Sequence, residues 1–216
     1  MMPCAAKRQR PQWQRSDLME PVNVTLDTLF ARRSISRLTD PGPTDDELTT
    51  MLAAAVAAPD HGEARPWRFV VFSGDDRTAF GHVLAASYAA SAEASASAVD
   101  PDRLDKERRR FLRAPVVVAV LCRMQARRVV PAEQRDAVAA ATQNLLLAAT
   151  ALGYGSIWRT GDAATSPVVH TALGLEPADA IVGFVYLGTI APECALPPRR
   201  IDPTAFIERP DFGEPS

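Results

Sequence analysis

The hydrophobic pattern of the chain switches between two periods. Leu48, Met51, Leu52, Ala55 and Val56 recur at i, i+3, i+4, i+7 and i+8, which puts them on one face of an α-helix. Thr44 and Glu47 precede that run with the spacing of a capping box, which marks where the helix starts. A second helix is expected over 76–98, with Phe80, Val83, Leu84 and Tyr88 on one side. A third runs from Pro131 to a C-cap at Gly153, through Ala139, Leu145, Leu146, Ala149 and Leu152. Between them PVVVAVLC at 115–122 is continuously apolar and of strand length, so 116–122 reads as a central strand buried on both faces. Further strands are expected at 68–73, 155–160 and 180–189, and Ser166-Pro167 opens a short helix that Gly174 stops. This order predicts one α+β domain over 24–216, a central sheet between helices.

Three segments break the pattern. Residues 1–23 have no period, contain three prolines and collect Lys7, Arg8, Arg10 and Arg15, so they read as a mobile leader or as a basic contact for an anionic partner. DPDRLDKERRRFLRAP, which begins at Asp100, is dense in charge and bounded by prolines. It is expected to be an exposed helical excursion, either a solvated helix or a lid. After Ile190 the chain becomes rich in proline, with Arg199 and Arg200, and is expected to wrap over another surface.

Composition narrows the class. With 47% hydrophobic residues over 216 positions there is ample material for a core, and no run approaches the roughly 20 apolar residues of a membrane helix. A net charge of -2 gives no overall field for nucleic acid. Cys4, Cys122 and Cys194 form neither a disulfide framework nor a metal knuckle and suit a reducing cytoplasm.

Three constellations carry candidate chemistry. A short amphipathic helix, with Thr25 as its expected N-cap and Leu26, Leu29 and Phe30 on one side, ends in Arg32, Arg33, Ser34 and Arg37. Paired guanidiniums and a hydroxyl suit a phosphate, and equally suit the negative end of a helix dipole. The stretch APDHGEARPWRFVVF at 58–72 stops a helix and enters a strand. Pro59 and Pro66 stiffen it around Asp60, His61, Gly62 and Arg65, which is a loop built to hold a ligand or one that caps a core. Gln143 and Asn144 are an odd polar pair in the third helix, able to reach a ligand or neighbouring backbone, and Trp158-Arg159 stand just before Gly161. No dinucleotide fingerprint, Walker A loop, HExxH or G-x-S-x-G is present. Cys122, in a buried strand, reads as core rather than as a partner for His61.

RRSISR at 32–37, PDHGEARPWRFVV at 59–71 and QNLLLAATALGYGSIWRTG at 143–161 with IVGFVYLGT at 181–189 resemble, in order and spacing, the short bacterial members of the flavin-dependent nitroreductase family. The resemblance implies an α+β fold with a central mixed sheet flanked by helices, and a homodimer with two FMN sites at the subunit interface. It implies NAD(P)H as hydride donor and a small nitroaromatic or quinone-type molecule as electron acceptor, in ping-pong alternation. By motif position, Arg32, Arg33 and Ser34 would hold the FMN phosphate and ribityl chain. Trp158, Arg159 and Thr160 would flank the flavin, Ala57 and His61 would come from the partner subunit, and Arg199 or Arg200 would reach the phosphate. Dehydrogenation or reductive dehalogenation on the same fold, and non-catalytic FMN binding or redox sensing, stay open beside it.

Overall fold

A computed structural model describes residues 26–126, 129–194, 196, 197 and 201–210. The leader, Thr25, Arg199 and Arg200 lie outside the described residues. In chain order the elements are α1 (Leu26–Ala31), β1 (Leu38–Thr39), α2 (Asp45–Val56), β2 (Trp67–Phe72), α3 (Asp76–Ala94) and α4 (Pro101–Arg108). There follow β3 (Val116–Cys122), α5 (Pro131–Ala151), β4 (Gly155–Arg159), α6 (Pro167–Ala172) and β5 (Ala180–Ile190).

β3 and β5 form the middle of the sheet, because β3 is apolar along its whole length and β5 is buried from Ile181 to Gly188. β3 lies between β2 and β5; β5 also pairs with β4, and its last residues pair with β1. Among the described residues all four strand pairings are antiparallel, so the sheet is antiparallel where a mixed one was expected; the bridge between Ser34 and Ser156 is parallel but stands outside the strands. The β3–β5 register slips between Val120–Gly183 and Leu121–Ile181, leaving Val182 as an extra residue in β5.

Alternation along β3 divides the core. Val117, Ala119 and Leu121 face a cluster with Phe80 and Leu84 of α3, while Val116, Val118, Val120 and Cys122 face Met51 of α2 and Leu145 and Leu146 of α5. A helix layer therefore covers each face, as a strand apolar at every position requires. No described helix is long and apolar enough to cross a membrane.

The capping box forms in full. Thr44 Oγ1 accepts from the Glu47 amide while Glu47 Oε2 accepts from the Thr44 amide, and Tyr154 donates its hydroxyl to the same oxygen at 2.8 Å. Ser166 departs from expectation. It is the N-cap of α6 but makes no cap bond; Ser87 Oγ donates to its hydroxyl at 2.7 Å, tying α6 to α3. α3 stops at Ala94, short of the expected 98, since Ser95 bonds back to the Ser91 carbonyl and Ala96 takes a left-handed φ of 51°.

The charged excursion is exposed only in part. α4 and the 3-10 turn Arg110–Arg113 carry most of their cations outward, with Arg110 half-buried, but Phe111 is 0% exposed. Its ring lies 5.1–5.8 Å from those of Phe72, Phe80, Phe184 and Tyr186. A segment expected to be solvated thus plugs an aromatic core.

Candidate active site

The arginine cluster meets the sheet at the start of β4. Arg32 closes the last turn of α1 with its amide on the Thr28 carbonyl, and the Ile35 amide then donates to the Ser156 carbonyl at 2.9 Å. Ile35 is buried and pins the chain, so Arg32, Arg33 and Ser34 stand at the edge of the core. The three do not behave alike. The Arg33 guanidinium donates to the Pro197 carbonyl of the C-terminal segment, whereas the Arg32 guanidinium and the Ser34 hydroxyl have no hydrogen-bond partner among the described residues. Arg37 is taken by Glu193 at 3.2 Å. Under Arg33 a cavity of about 130 Å³ opens between Ile35, Tyr154, Gly155, Ile190 and Leu196.

Ser156, opposite Ser34, is a residue that the sequence did not single out. It is 1% exposed and its hydroxyl has no partner among the described residues. A buried polar atom left in this way calls for an explanation. The only sequence signal was a serine inside a short strand.

At the other end of β4 the chain presents Trp158, Arg159 and Thr160, about 10 Å further on at the usual rise of a strand. Trp158 donates its indole N–H to the carbonyl of Val182 at 3.2 Å, using the residue that the register slip displaces. Gly161 follows with φ 93°, a left-handed turn that a side chain would strain. Arg110 reaches this turn, its Nη2 lying 3.6 Å from where a Cβ on Gly161 would be. The neighbouring phenol of Tyr186 is pushed up to about 12 by burial, while Arg110, Arg159 and Arg113 pull it the other way. The cationic excursion and the end of β4 therefore share one electrostatic environment.

The stiff loop is built elsewhere. Asp60 Oδ2 accepts from the Arg65 amide at 2.7 Å, and Gly62, Glu63 and Arg65 all take left-handed φ values of 67°, 49° and 48°. Ala57 is the exposed C-cap of α2. The preceding Ala54 carbonyl accepts from Asn144 of α5 at 3.1 Å, so Asn144 serves the backbone that sets this loop. His61 is exposed, with Nδ1 2.7 Å from Glu133 Oε2 in the first turn of α5. Cys122, by contrast, is buried in β3. Its thiol is pushed up to about 11 by burial and the Asp179 charge against the opposing pull of Arg135, which keeps it protonated at neutral pH.

One chain does not bring all eight residues together. Glu133, which holds His61, and Ala151 are separated by 18 helical steps, about 27 Å. Arg32, Arg33 and Ser34 lie beside β4 just past that far end, where Tyr154 bonds the Ala149 carbonyl. Arg32 to Ser34 lie at the start of β4 and Trp158 to Thr160 at its end; His61 belongs to the opposite end of α5, and Ala57 follows the Ala54 carbonyl that Asn144 holds part-way along it.

A model of the nitroreductase family matches residues 29–189. The chain belongs to that family. Within it, the Escherichia coli (strain K12) protein named "Putative NAD(P)H nitroreductase YdjA" is 38% identical over 183 residues, 84% of this chain and 97% of that protein. Among solved structures, one described as "a putative nitroreductase in complex with fmn", from Desulfovibrio desulfuricans, is 27% identical. It superposes with a TM-score of 0.64 over 91% of this chain and all of its own. A nitroreductase-like protein from Bacillus cereus is 24% identical with a TM-score of 0.72, over 86% of this chain and 95% of its own, and shares the fold.

Proposed function

We propose that this chain is an FMN-dependent oxidoreductase that passes electrons from NAD(P)H to a nitroaromatic or quinone-type acceptor, working as a homodimer. The observation that carries this reading is the pair formed by Arg32 and Ser34, a guanidinium and a hydroxyl without a hydrogen-bond partner among the described residues, beside the buried Ser156 hydroxyl, likewise without one, at the start of β4. Such donors suit a phosphate and a polyol chain. Family membership and the FMN-containing relative support the same choice.

In this reading Arg32 and Ser34 bind the phosphate end and the backbone of Trp158, Arg159 and Thr160 orients the ring end, with β4 setting the spacing between them. The bound FMN supplies the redox chemistry, taking a hydride from the donor and giving electrons to the acceptor. Arg33 has a second task, holding the C-terminal segment by Pro197. Ala57 and His61 come from a second copy, since their own chain holds His61 a helix length away. The Glu133 carboxylate fixes the imidazole there. Leu26, Leu29 and Phe30 of α1, and Ile201, Phe206 and Ile207 of the C-terminal segment, are apolar and exposed, as surfaces closed by dimerisation would be. Donor and acceptor use one site in turn, giving ping-pong kinetics.

The purified protein should be yellow, bleach under anaerobic NADH or NADPH and regain colour with a nitroaromatic or quinone. A protein that binds FMN but is bleached by neither donor is a binder or sensor instead. Failure to bind added FMN removes the proposal altogether.

A further inference from the structure

The excursion between α3 and β3 carries charge that its aromatic plug does not explain. From Asp100 to Arg113 it has six cationic and four acidic side chains, in a chain whose net charge is -2. The carboxylates neutralise some cations selectively. Asp105 pairs with Arg109, Glu107 with Arg110 at 2.9 Å and Asp162 with Arg103 at 3.3 Å. Lys106 and Arg113 have no carboxylate partner among the described residues, and both are exposed. They border one open cleft of about 500 Å³, lined by Lys106, Glu107, Arg109, Arg110, Leu112 and Arg113. Steps of three and four residues keep these cations on one side of the segment.

The position of this cleft gives it meaning. Arg110 is at once part of its wall and the neighbour of Gly161, directly after Thr160. One wall residue of the cleft therefore stands beside the end of β4 that, in the reading above, orients the ring of the redox group. A dinucleotide whose nicotinamide lies on that ring must lay its phosphates along some path to solvent, and this cleft is lined with guanidinium and ammonium groups. Arginine forks and a lysine suit phosphate oxygens, and an arginine is the usual means of accommodating a 2′-phosphate.

We propose that the Lys106–Arg113 face of the excursion recognises the 2′-phosphate end of the hydride donor, so that NADPH is preferred to NADH. This rests on the oxidoreductase reading above and adds the donor's identity and the residues that select it. Lys106 and Arg113 are the selective pair, because Arg109 and Arg110 are already engaged by carboxylates.

The test compares wild type with Lys106→Ala/Arg113→Ala. The ratio of kcat/KM for NADPH to that for NADH should be at least about tenfold in wild type. It should fall by about ten- to a hundredfold in the variant, the loss of one to two charge-assisted contacts. Arg113→Lys, which keeps the charge, should recover part of the ratio. Calorimetry on the flavin-loaded protein supplies a readout independent of turnover: 2′,5′-ADP should bind more tightly than 5′-AMP to wild type, and this difference should vanish in the variant and shrink with added salt. Both side chains are exposed and without a carboxylate partner among the described residues, so the variant should melt as wild type does. A wild type that favours NADH or treats both donors alike overturns the proposal, as does an unchanged ratio in the variant. If neither donor reduces the flavin, the oxidoreductase reading has failed. The calorimetric comparison then still decides the phosphate site, and equal binding of 2′,5′-ADP and 5′-AMP rejects it.

Discussion

The indole of Trp158 lies across the α-carbon of Gly183, so closely that a Cβ on that glycine would stand 2.1 Å from Nε1 and 2.8 Å from the Arg159 carbonyl. The register slip in β5 makes this possible. It leaves the Val182 carbonyl outside the β3 ladder, where the indole N–H takes it. A sheet irregularity, a missing side chain and a large aromatic ring thus fix the end of β4 that carries Arg159 and Thr160.

Gly183→Ala should therefore be destabilising although glycine in a strand is itself unfavourable. Overpacking of this kind costs about 1–3 kcal/mol, a fall of several degrees in Tm for a chain of this size. Combining it with Trp158→Ala removes the clash with the indole and leaves that with the Arg159 carbonyl, so the double variant should lose less than the sum of the single losses. Thermal melts of the three variants check this, and strictly additive losses would show that the two residues do not interact.

Phe111 offers a second contrast, with its neighbour Leu112. Phe111→Ala empties the centre of an aromatic cluster and should cost about 3–5 kcal/mol. Leu112→Ala, at a position 44% exposed, should change stability little. Urea midpoints distinguish the two; equal effects would mean that the excursion does not plug the core.

These two cases mark what the sequence made legible and what it hid. β3 was readable to the residue because burial on both faces leaves no polar position between Val116 and Cys122. α2 was readable because its cap and its face are local patterns. Phe111 was hidden by its setting: a single aromatic among arginines has no period, and its burial depends on rings supplied by Phe72, Phe80, Phe184 and Tyr186. Asn144 was seen as odd but not resolved, since its partner is a carbonyl 90 residues earlier. At the candidate site each motif was visible, but the separation between Ser34 and His61 depends on the direction of α5. The unpartnered hydroxyl of Ser156 depends on its burial, which no local pattern reveals.

Glu47 gives the stability a pH dependence of known sign. Its carboxyl is held below the usual range, first by the Thr44 amide, then by the Tyr154 hydroxyl and by the Thr44 hydroxyl. A carboxyl with a lowered folded-state pKa contributes stability above its unfolded value, about 4.3, and loses it as pH falls through the folded value. Glu47→Gln should therefore be less stable than wild type at pH 7, with the gap closing below about pH 4. Urea midpoints measured across that range check it, and a gap independent of pH would assign the loss to geometry rather than charge.

Arg32 decides whether the first motif is a phosphate site or a complement to the end of α1. Its guanidinium has no hydrogen-bond partner among the described residues, so no hydrogen bond among them is lost on Arg32→Ala. If it binds the FMN phosphate, removing it deletes a charge-assisted pair worth about 1.5–3 kcal/mol, and FMN affinity should fall about ten- to a hundredfold. If it only complements the helix end, the loss is about 0.3–1 kcal/mol of stability with flavin affinity unchanged. Riboflavin keeps the ring but lacks the phosphate and should bind wild type and variant with the same weakness. Arg33→Ala provides the structural comparison, since it releases the Pro197 carbonyl and should loosen the C-terminal segment, read as faster proteolysis there. Fluorescence titration with both flavins resolves the alternatives, and an Arg32→Ala protein that holds FMN as tightly as wild type would remove Arg32 from the site.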